Sequence, residues 1–487
     1  MLNVLSVASE AVPFVKTGGL ADVAGALPAA VAPHGVAMTT LIPGYPLVMG
    51  RVGAQAQVLH EWADLLGEKA RLLATTLPGE GAHALLVLDC PALFDRVGGP
   101  YVDASSHDWA DNWRRFAAFS RAAADIAGGL VAGLSFDLLH AHDWQAGLAP
   151  AYLKFAAHGG NAVPSVMTIH NMAFQGHFGA EVFAGLGLPP YAWSMNGVEY
   201  HGGVSFLKAG LECAWAITTV SPTYAREIRE ADFGMGLDGL IRSRGGQVHG
   251  LLNGIDPAEW NPAADPHIAA PFAVRTLARR AANTAAIEAE FGLEPGEGPL
   301  FVVISRLTWQ KGMDVLAACV DDLVAAGGRL ALLGAGDAAI VAELQAAAAR
   351  HPGRVALRIG YDEALAHRMQ AGGDAILIPS RFEPCGLTQL YGLAYGCVPV
   401  VARTGGLADT VIDANHAALA AGVATGVVFA GVTQAHLGEA IGRTVALYRQ
   451  PALWRAMQKK GMAADFTWSQ SGAAYASLYQ HLLTESQ

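Results

Sequence analysis

The chain alternates short apolar runs with amphipathic segments, and it does so in two separate series. The first series has runs typical of buried strands at 2–8, 36–43, 83–90, 136–142, 165–171, 214–220 and 248–254. The second series has them at 299–306, 329–336, 355–361, 374–380, 397–402 and 426–429. Strands that alternate with helices form βαβ units, in which the strands lie parallel. The sequence therefore predicts an α/β fold with two doubly wound, Rossmann-like domains and a cleft between them.

The amino-acid composition of the chain changes between the two series. Residues 251–297 are rich in Pro, Asp and Asn and end in a charged helical segment, which is typical of a crossing between domains. A length of 487 residues is too great for one ordinary domain. We therefore expect one domain at 1–250, a crossing at 251–297, a second domain at 298–460, and a tail at 461–487 that packs back on the first domain.

Charge and cysteine usage exclude several classes of function. The formal net charge is −11, and there is no block rich in Lys or Arg, which argues against a nucleic-acid partner. The five cysteines are scattered without a CxxC pair, as expected for reduced thiols in the cytoplasm. The uncharged stretch at 23–50 contains four prolines, which argues against a membrane-spanning helix. We expect a soluble cytoplasmic protein without a membrane partner.

A pair of similar glycine turns occurs once in each series. KTGGLADVAG begins at Lys16 and RTGGLADTVI begins at Arg403, and each follows a strand and opens a helix. Adjacent glycines such as Gly18 and Gly19 let a ligand approach the backbone closely, and a helix N-terminus attracts phosphate. The alternative is a plain tight turn with an exposed lysine. The likeness of the two turns has three explanations: a shared ligand role, shared turn chemistry alone, or coincidence.

Two cations follow the first strand of the second series. Arg306 ends the strand, and Lys311 lies five residues later at a helix start. An arginine fork and a lysine point charge form a suitable pair for a diphosphate. The alternative is that both are solvated surface cations.

Polar residues also end two strands of the first series. His140 and His142 form an HxH pattern that could ligate a metal, but no further ligand spacing such as HExxH accompanies it. The other interpretations are hydrogen bonding to a hydroxyl-rich ligand and a satisfied structural cluster. His170 and Asn171 end the next strand and could orient a substrate, or stabilise developing charge, the alternative being a structural histidine at a strand end.

The stretch PSRFEPCGLTQLYG places a carboxylate, Glu383, in a turn between a buried strand and a helix. Loops at the carboxyl ends of strands form the ligand crevice of α/β sheets. Glu383 could therefore be a nucleophile, a base or a holder of hydroxyl groups. Cys385 lies near the helix start, where a thiol pKa can be lowered, or is simply a small packed residue. Tyr361 follows another strand and either stacks on a flat base or is an ordinary half-buried tyrosine.

These motifs, taken together and in order, resemble the glycogen/starch synthase family of glycosyltransferases that use ADP-glucose. The resemblance rests on KTGGLADV, HAHDWQAGLAPAYL, TIHNMAFQG, FLKAGL, VSPTYAREI, LNGIDPAEW, SRLTWQKG, PSRFEPCGLTQLYGLAYG and RTGGLADTV, which span nearly the whole chain. It implies the GT-B arrangement of two Rossmann-like domains. It also implies transfer of glucose from ADP-glucose to the non-reducing end of an α-1,4-glucan such as glycogen, with retention of configuration and without a metal or other cofactor.

The resemblance implies roles for particular residues of the first half. Lys16 and the amides of Gly18 and Gly19 would face the phosphates of the nucleotide. The backbone carbonyl of His170 would lie beside the anomeric carbon. The remaining substrate-binding residues of this half would be Asn171, Asp137 and, in the LNGIDPAEW motif, Asn253.

For the second half, the resemblance implies that Arg306 and Lys311 stabilise the leaving ADP and that Glu383 holds glucose hydroxyls. Tyr361 would contact adenine. The segment lining the sugar and phosphate would comprise Cys385, Gly386, Leu387 and Thr388.

One position departs from the pattern of many retaining GT-B enzymes, which carry a second glutamate eight residues after the first. Tyr391 stands there instead, so the ribose-binding role of that carboxylate is missing. Retention without it favours substitution on one face of the sugar over a covalent Glu383 adduct. Two alternatives to the ADP-glucose transferase remain: an enzyme of the same fold using UDP-glucose, and a non-catalytic glucan-binding protein.

Overall fold

The computed structural model describes residues 1–52, 56–76, 84–105, 107–155 and 163–485. The chain divides into two compact units. Unit 1 comprises Met1–Gly254 together with Trp468–Gln487, and unit 2 comprises Ile255–Thr467. Among the described helices, none combines the length and the apolar character that crossing a bilayer requires. The five cysteines are buried free thiols.

Unit 1 contains a nine-stranded sheet and a small three-stranded one. The strands of the large sheet are β1 (Leu2–Val7), β2 (Val36–Pro43), β3 (Gln57–Leu65), β4 (Glu68–Thr76), β5 (Ala84–Asp89), β6 (Leu138–His142), β7 (Ser165–Ile169), β11 (Ala216–Thr219) and β12 (Val248–Gly250). Those of the small antiparallel sheet are β8 (His177–Phe178), β9 (Glu199–Tyr200) and β10 (Gly203–Ser205).

The helices of unit 1 follow the strands in turn. They are α1 (Gly19–Val31), α2 (Pro46–Val52), α3 (Pro91–Phe94), α4 (Asn112–Ala127), α5 (Asp143–Ala146), α6 (Leu148–Phe155), α7 (Phe206–Cys213), α8 (Pro222–Glu227), α9 (Ala231–Gly234), α10 (Asp238–Ser243) and α20 (Trp468–Glu485). Short 3-10 turns occupy Ala32–His34, Ala180–Leu186, Pro190–Ala192 and Gly245–Gln247.

Unit 2 contains one parallel six-stranded sheet. Its strands are β13 (Leu300–Ile304), β14 (Arg329–Gly334), β15 (Val355–Ile359), β16 (Ala375–Ile378), β17 (Val398–Ala402) and β18 (Val427–Phe429). A 3-10 turn at Val274–Arg279 leads into the helices α11 (Arg280–Phe291), α12 (Met313–Ala325), α13 (Ala338–Arg350), α14 (Glu363–Gly372), α15 (Thr388–Tyr395), α16 (Gly405–Thr410), α17 (His416–Ala420), α18 (Gln434–Tyr448) and α19 (Pro451–Met462).

Both large sheets have the strand order of a Rossmann fold. In unit 2 the order is β15-β14-β13-β16-β17-β18. In unit 1 it is β12-β11-β7-β6-β1-β2-β5-β4-β3, in which all strands from β12 to β5 run parallel. The order reverses between β1 and β6 in unit 1 and between β13 and β16 in unit 2. Ligands of such sheets bind outside the carboxyl ends of the strands at these switch points. The prediction of two doubly wound α/β domains is confirmed.

The structure places the predicted crossing at 251–297 differently. Residues from Ile255 onward belong to unit 2, because Trp260, Ile268 and Phe272 bury their side chains against α14 and α15. The chain returns to unit 1 at Trp468, whereas the predicted tail began at residue 461. From there α20 packs on α1, with Tyr475 and Tyr479 fully buried between it and the sheet.

The antiparallel hairpin β3–β4 was not predicted from the sequence. Its turn uses Leu66 in the left-handed region, at φ 52°, followed by Gly67. Asn or Asp usually occupies this position before the glycine of a hairpin turn, and leucine rarely does. The sequence therefore contains no sign of the turn. Residue 83, which began one predicted strand, lies outside the described residues.

Candidate functional site

Each unit brings a group of residues to its own switch point, and all of them except Asp143 were predicted from the sequence. In unit 1 the loops after β1, β6 and β7 carry Lys16, Gly18 and Gly19, then Asp143, then His170 and Asn171. In unit 2 the loops after β13 and β16 carry Arg306 and Lys311, then Glu383 to Thr388.

The glycine turn of unit 1 is anchored on one side and open on the other. Gly18 caps α1, and a Cβ built on Gly18 or on Gly19 meets no heavy atom within 4 Å. The Thr17 hydroxyl donates to Glu10 Oε1 at 2.5 Å, and the backbone amide of Thr17 donates to the same buried carboxylate. Lys16 Nζ lies 2.8 Å from Asp22 Oδ1. The turn is therefore fixed by Glu10 while the backbone beside the glycines stays accessible.

Asp143 is the carboxylate at the carboxyl end of β6, and the sequence analysis did not single it out. Its Oδ1 accepts the backbone N–H of His170 at 2.8 Å, and its own backbone lies in the left-handed region at φ 54°. Burial raises the pKa of Asp143 to about 7, although hydrogen bonds from the backbone of His170 and Asn171 act in the opposite direction. The HAHDW motif was the available signal, since Asp143 directly follows its two histidines. Asp143 fixes the backbone from which His170 and Asn171 project.

The two histidines before Asp143 are committed to hydrogen bonds inside the unit. His140 Nε2 lies 2.5 Å from Thr168 Oγ1, and His140 Nδ1 lies 2.8 Å from the Tyr479 hydroxyl. His142 Nδ1 lies 3.0 Å from His170 Nε2. Within the described part of the chain, no three His, Cys, Asp or Glu side chains are grouped as metal ligands. The HxH pattern thus forms a buried polar cluster behind His170.

Asp137 is not brought to this edge of the sheet. It lies immediately before β6, and its Oδ2 accepts the backbone N–H of Asn3 at 2.8 Å, at the start of β1. Because β1 and β6 are parallel, these residues mark the amino ends of the strands, opposite to Asp143. The implied contact of Asp137 with a sugar is therefore wrong for this fold. Asp143, six residues later, is the carboxylate at the ligand edge.

Asn253 follows β12 and is 6% exposed. Its Oδ1 is buried without a hydrogen-bonding partner among the described residues. β12 is separated from β7 by β11, so Asn253 lies on the same carboxyl edge as His170 but two strands away. An orphan buried acceptor at a ligand edge is consistent with a role in binding.

The buried titratable groups of unit 1 predict how its stability depends on pH. Burial lowers the pKa of His140 and His170 to about 3 and that of His142 well below its usual value, so unfolding below pH 6.5 takes up protons and acid destabilises the fold. Asp143 has the opposite effect on stability between pH 4 and 7. In this range its carboxyl group is protonated in the folded state and ionised in the unfolded state, so acidification stabilises the fold through this group. We expect Asp143→Asn to steepen the loss of unfolding free energy on acidification by about 1.4 kcal/mol per pH unit.

Urea unfolding of both proteins at pH 5, 6 and 7, followed by near-ultraviolet circular dichroism, measures this difference in slope. Equal slopes for the wild type and Asp143→Asn would contradict the raised pKa of Asp143.

An ion pair between Lys311 and Glu383 lies at the switch point of unit 2. Lys311 Nζ is 2.5 Å from Glu383 Oε2, which also accepts the Ser380 hydroxyl at 2.8 Å. The side chains are 16% and 10% exposed. A mostly desolvated pair of this kind fixes both side chains in position. It presents a cation and a carboxylate side by side at the ligand edge.

Arg306 is exposed and is supported through Gln310. Its Nη2 lies 3.4 Å from Gln310 Oε1, and the backbone N–H of Arg381 donates to the Gln310 carbonyl at 2.9 Å. Arg381 makes a bidentate pair with Asp314 at 2.7 Å and lies over the Trp309 ring, 4.4 Å from its centroid. The loops after β13 and β16 are thus joined into one support for Arg306 and Lys311.

The second glycine turn has a different environment from the first. A Cβ on Gly405 would overlap the carbonyl oxygen of Glu383, and a Cβ on Gly406 would overlap that of Cys385. Gly405 also has φ 44°, in the left-handed region. These glycines are required by close packing against the backbone that carries Glu383. The two similar sequences therefore form different turns, since Gly18 is extended at φ −162° where Gly405 is left-handed, and only the first leaves its glycine backbone accessible.

The segment after Glu383 leads into α15. Cys385 is buried, Gly386 has φ 71°, and Leu387 and Thr388 begin the helix. The Gln389 side-chain amide donates to the carbonyl oxygens of Cys385 and Gly386 at 3.1 and 2.7 Å. These bonds turn the two carbonyls toward the protein.

Two tyrosines predicted from the sequence have contrasting environments. Tyr361 follows β15 at the edge of the sheet, two strands from β13, and is 77% exposed. Tyr391 stacks on Trp260 with ring centroids 3.6 Å apart, and Trp260 stacks on His367 at 3.8 Å. The position of the missing second glutamate is thus an aromatic ring that holds the segment around Trp260 onto α14 and α15.

Comparisons with known proteins agree with this architecture. Residues 3–243 match the model of the starch synthase catalytic domain, and residues 286–457 match that of glycosyl transferases group 1. A glycogen synthase of Novosphingobium aromaticivorans is 70% identical over 487 residues, covering 100% of both chains. One of Mesorhizobium japonicum is 57% identical over 486 residues, covering 99% of both.

Two solved structures are also similar to this chain in fold. The catalytic domain of starch synthase IV from Arabidopsis thaliana, bound to ADP and acarbose, has a TM-score of 0.87 at 29% identity and covers 99% of each chain. Sucrose-phosphate synthase of Thermosynechococcus elongatus shares the fold, with a TM-score of 0.60 at 17% identity and full coverage of each chain. The fold is of the GT-B type. The chain belongs to the glycogen synthase family of glycosyltransferases.

Proposed function

We propose that the protein transfers glucose from ADP-glucose to the non-reducing end of an α-1,4-glucan, with retention of configuration, in glycogen biosynthesis. The observation that carries the proposal is the Lys311–Glu383 pair at the switch point of unit 2, 2.5 Å apart and mostly desolvated. Such a pair offers a cation to a phosphate and a carboxylate to sugar hydroxyls. The relatives named glycogen synthase support the reaction, and the starch synthase with bound ADP supports the nucleotide.

The cations of unit 2 act on the leaving group in this proposal. Breaking the bond between C1 of glucose and the diphosphate leaves an oxocarbenium-like sugar and adds negative charge to ADP. Arg306 and Lys311 attract that charge more strongly as it develops, which stabilises the transition state more than the bound substrate. Arg306 is exposed and so can reach a phosphate, whereas Lys311 is held in place by Glu383.

Glu383 serves as the holder of the donor sugar. Its Oε2 is engaged by Lys311 and Ser380. A carboxylate so engaged is a weaker nucleophile, which favours the hydroxyl-binding role over a covalent adduct. The Cys385–Thr388 segment lines the sugar and phosphate, and Tyr361 contacts the adenine.

Unit 1 contributes the glycine turn and the His170 segment. The accessible amides of Gly18 and Gly19, with Lys16, face the phosphates. The carbonyl of His170, whose N–H is held by Asp143, faces the anomeric carbon, and Asn171 binds sugar hydroxyls. Asn253, with its orphan buried oxygen, completes the substrate-binding set.

Retention follows from substitution on one face of the sugar. The acceptor O4 bonds to C1 on the side from which the phosphate departs. The bond from C1 to the phosphate oxygen breaks, and the acceptor hydroxyl proton passes to that oxygen. This route needs no second carboxylate, in keeping with Tyr391 being stacked on Trp260. It also needs no metal or other cofactor, because Arg306 and Lys311 neutralise the diphosphate.

The test supplies purified protein with glycogen primer and EDTA, and with either ADP-glucose or UDP-glucose as labelled donor. We expect label in the glucan from ADP-glucose, and a much lower rate from UDP-glucose. Faster transfer from UDP-glucose would overturn the donor assignment, and a need for a divalent cation would overturn metal independence. No transfer from either donor would favour a non-catalytic glucan-binding protein.

A further inference from the structure

A chain of three buried side chains leads from β1 to His170. Ser6 Oγ lies 3.2 Å from His142 Nε2, and His142 Nδ1 lies 3.0 Å from His170 Nε2. Ser6 and His142 are fully buried, and His170 is 9% exposed. Each contact is a hydrogen bond between side chains of adjacent strands. The ring of His170 is therefore held from behind by groups that are remote from any substrate.

Both imidazole rings in this chain are neutral at physiological pH. Burial lowers the pKa of His170 to about 3 and that of His142 well below its usual value. A neutral imidazole carries one N–H and one bare nitrogen. The contact between His142 Nδ1 and His170 Nε2 joins two nitrogens, so a single proton must lie between them. The position of that proton decides which nitrogen of His170 carries hydrogen.

The hydrogen bond of Ser6 determines which ring nitrogens of His142 and His170 carry hydrogen. Among the described residues, Ser6 Oγ has His142 Nε2 as its only hydrogen-bonding partner. If His142 Nε2 carried the proton, Ser6 would accept it, and the serine hydroxyl hydrogen would be buried without an acceptor, which is costly. If Ser6 donates, His142 Nε2 is bare, His142 Nδ1–H donates to His170 Nε2, and His170 carries its hydrogen on Nδ1. This arrangement gives the buried Ser6 hydroxyl an acceptor and leaves the remaining hydrogen on His170 Nδ1, at the carboxyl end of β7.

We propose that Ser6 and His142 are positioning residues that hold His170 in its neutral Nδ1–H form. His170 Nδ1 has no hydrogen-bonding partner within the described chain, and the residue lies at the carboxyl end of β7. Its side chain is then a fixed hydrogen-bond donor to an oxygen of the ligand, a sugar hydroxyl or a phosphate oxygen, and not a base. Resting on the proposed function, this adds a side-chain role to that of the His170 backbone carbonyl.

The direct test observes the tautomer without any substrate. The full-length protein is labelled with ¹⁵N-histidine, and long-range ¹H–¹⁵N correlation spectra distinguish a protonated from a bare ring nitrogen. Loss of one signal set in His170→Gln identifies His170. We expect hydrogen on Nδ1 and a bare Nε2. Hydrogen on Nε2 would overturn the proposal.

Ser6→Ala removes the donor, and Thr40→Val is its matched control. Thr40 is the cross-strand partner of Ser6 on β2, and its buried hydroxyl has no hydrogen-bonding partner among the described residues. We expect Ser6→Ala to shift the His170 signals toward a mixture of tautomers and Thr40→Val to leave them unchanged. An unchanged spectrum in Ser6→Ala would contradict the role of Ser6.

The kinetic arm follows the same variants. We expect Ser6→Ala to lower kcat about tenfold, as loss of one oriented hydrogen bond predicts, with the KM for the donor little changed. Ser6→Cys, a similar-sized side chain with a weak donor, should fall between Ser6→Ala and the wild type. A uniform loss in Ser6→Ala and Thr40→Val would indicate a structural effect only. Because the spectra need no turnover, an inactive wild type would overturn the proposed function and leave the tautomer test intact.

Discussion

Lys311→Met is expected to lower kcat/KM for glucosyl transfer by about 30- to 1000-fold, which corresponds to roughly 2–4 kcal/mol of lost transition-state stabilisation. The reason is the position of the ammonium group, which is mostly desolvated beside Glu383 at the switch point of unit 2. A charge that develops on a departing diphosphate there would lose its fixed counter-charge. Initial rates with varied ADP-glucose measure the effect, and wild-type turnover in Lys311→Met would contradict the assignment.

The ion pair also has a consequence for stability that the sequence did not reveal. Lys311→Met leaves a buried carboxylate unpaired, which is expected to cost about 3–5 kcal/mol of unfolding free energy. Glu383→Gln removes that charge, so the double variant should recover most of the stability but none of the activity. Urea unfolding of the two single variants and the double variant measures the coupling. A double variant no more stable than Lys311→Met would show that the pair is not formed.

The two glycine turns are expected to respond in opposite ways to alanine. Gly405→Ala forces a Cβ into the carbonyl oxygen of Glu383 at a left-handed φ, and should cost about 2–4 kcal/mol of stability and displace Glu383. At Gly18 the backbone is extended, with φ −162°, and there is open space for the Cβ of an alanine. Its stability should change by less than about 1 kcal/mol, while activity falls because the methyl group occupies the ligand side of the turn.

Thermal unfolding and initial rates of the two variants, with Gly50→Ala as a control at another open glycine on a helix, measure the contrast. Full activity in Gly18→Ala would remove the glycine turn of unit 1 from the binding site. Normal stability in Gly405→Ala would contradict the close packing against Glu383.

The fold could be predicted to a large extent because buried parallel strands are continuous apolar runs. Leu300–Ile304 and Val398–Ala402 are buried along nearly their whole length, so their sequences contain little else. The hairpin at β3–β4 could not be predicted, because its solvent-facing residues interrupt the pattern and Leu66 conceals the turn. The boundary at Ile255 also escaped prediction, since Trp260 and Phe272 bury themselves through contacts with residues more than 100 positions away.

Residues of the candidate site could be predicted where the loop that carries them has a recognisable local motif. Arg306 and Lys311 follow β13 and Glu383 follows β16 in the same sheet, and the structure brings Lys311 and Glu383 into contact. The resemblance assigned a sugar contact to Asp137, which lies at the amino end of β6, whereas the carboxylate at the carboxyl end is Asp143.

The roles of Ser6 and Tyr391 required the structure. A serine within an apolar strand carries no local sign that it will face a histidine 136 residues later. Likewise, the stacking of Tyr391 on Trp260 depends on where the segment after Ile255 folds. Both depend on tertiary contacts that no local pattern encodes.

The position of α20 in unit 1 sets an order of events during synthesis on the ribosome. Residues 255–467 form a continuous unit whose core needs nothing made later. The core around Val4, Val23 and Leu27, by contrast, is closed by Tyr475 and Tyr479, which emerge more than 400 residues afterwards. His140 likewise lacks its Tyr479 hydroxyl until then. The first half of the chain to be translated is therefore the last to be completed, and the buried histidine cluster gains the Tyr479 hydroxyl only after α20 has been made.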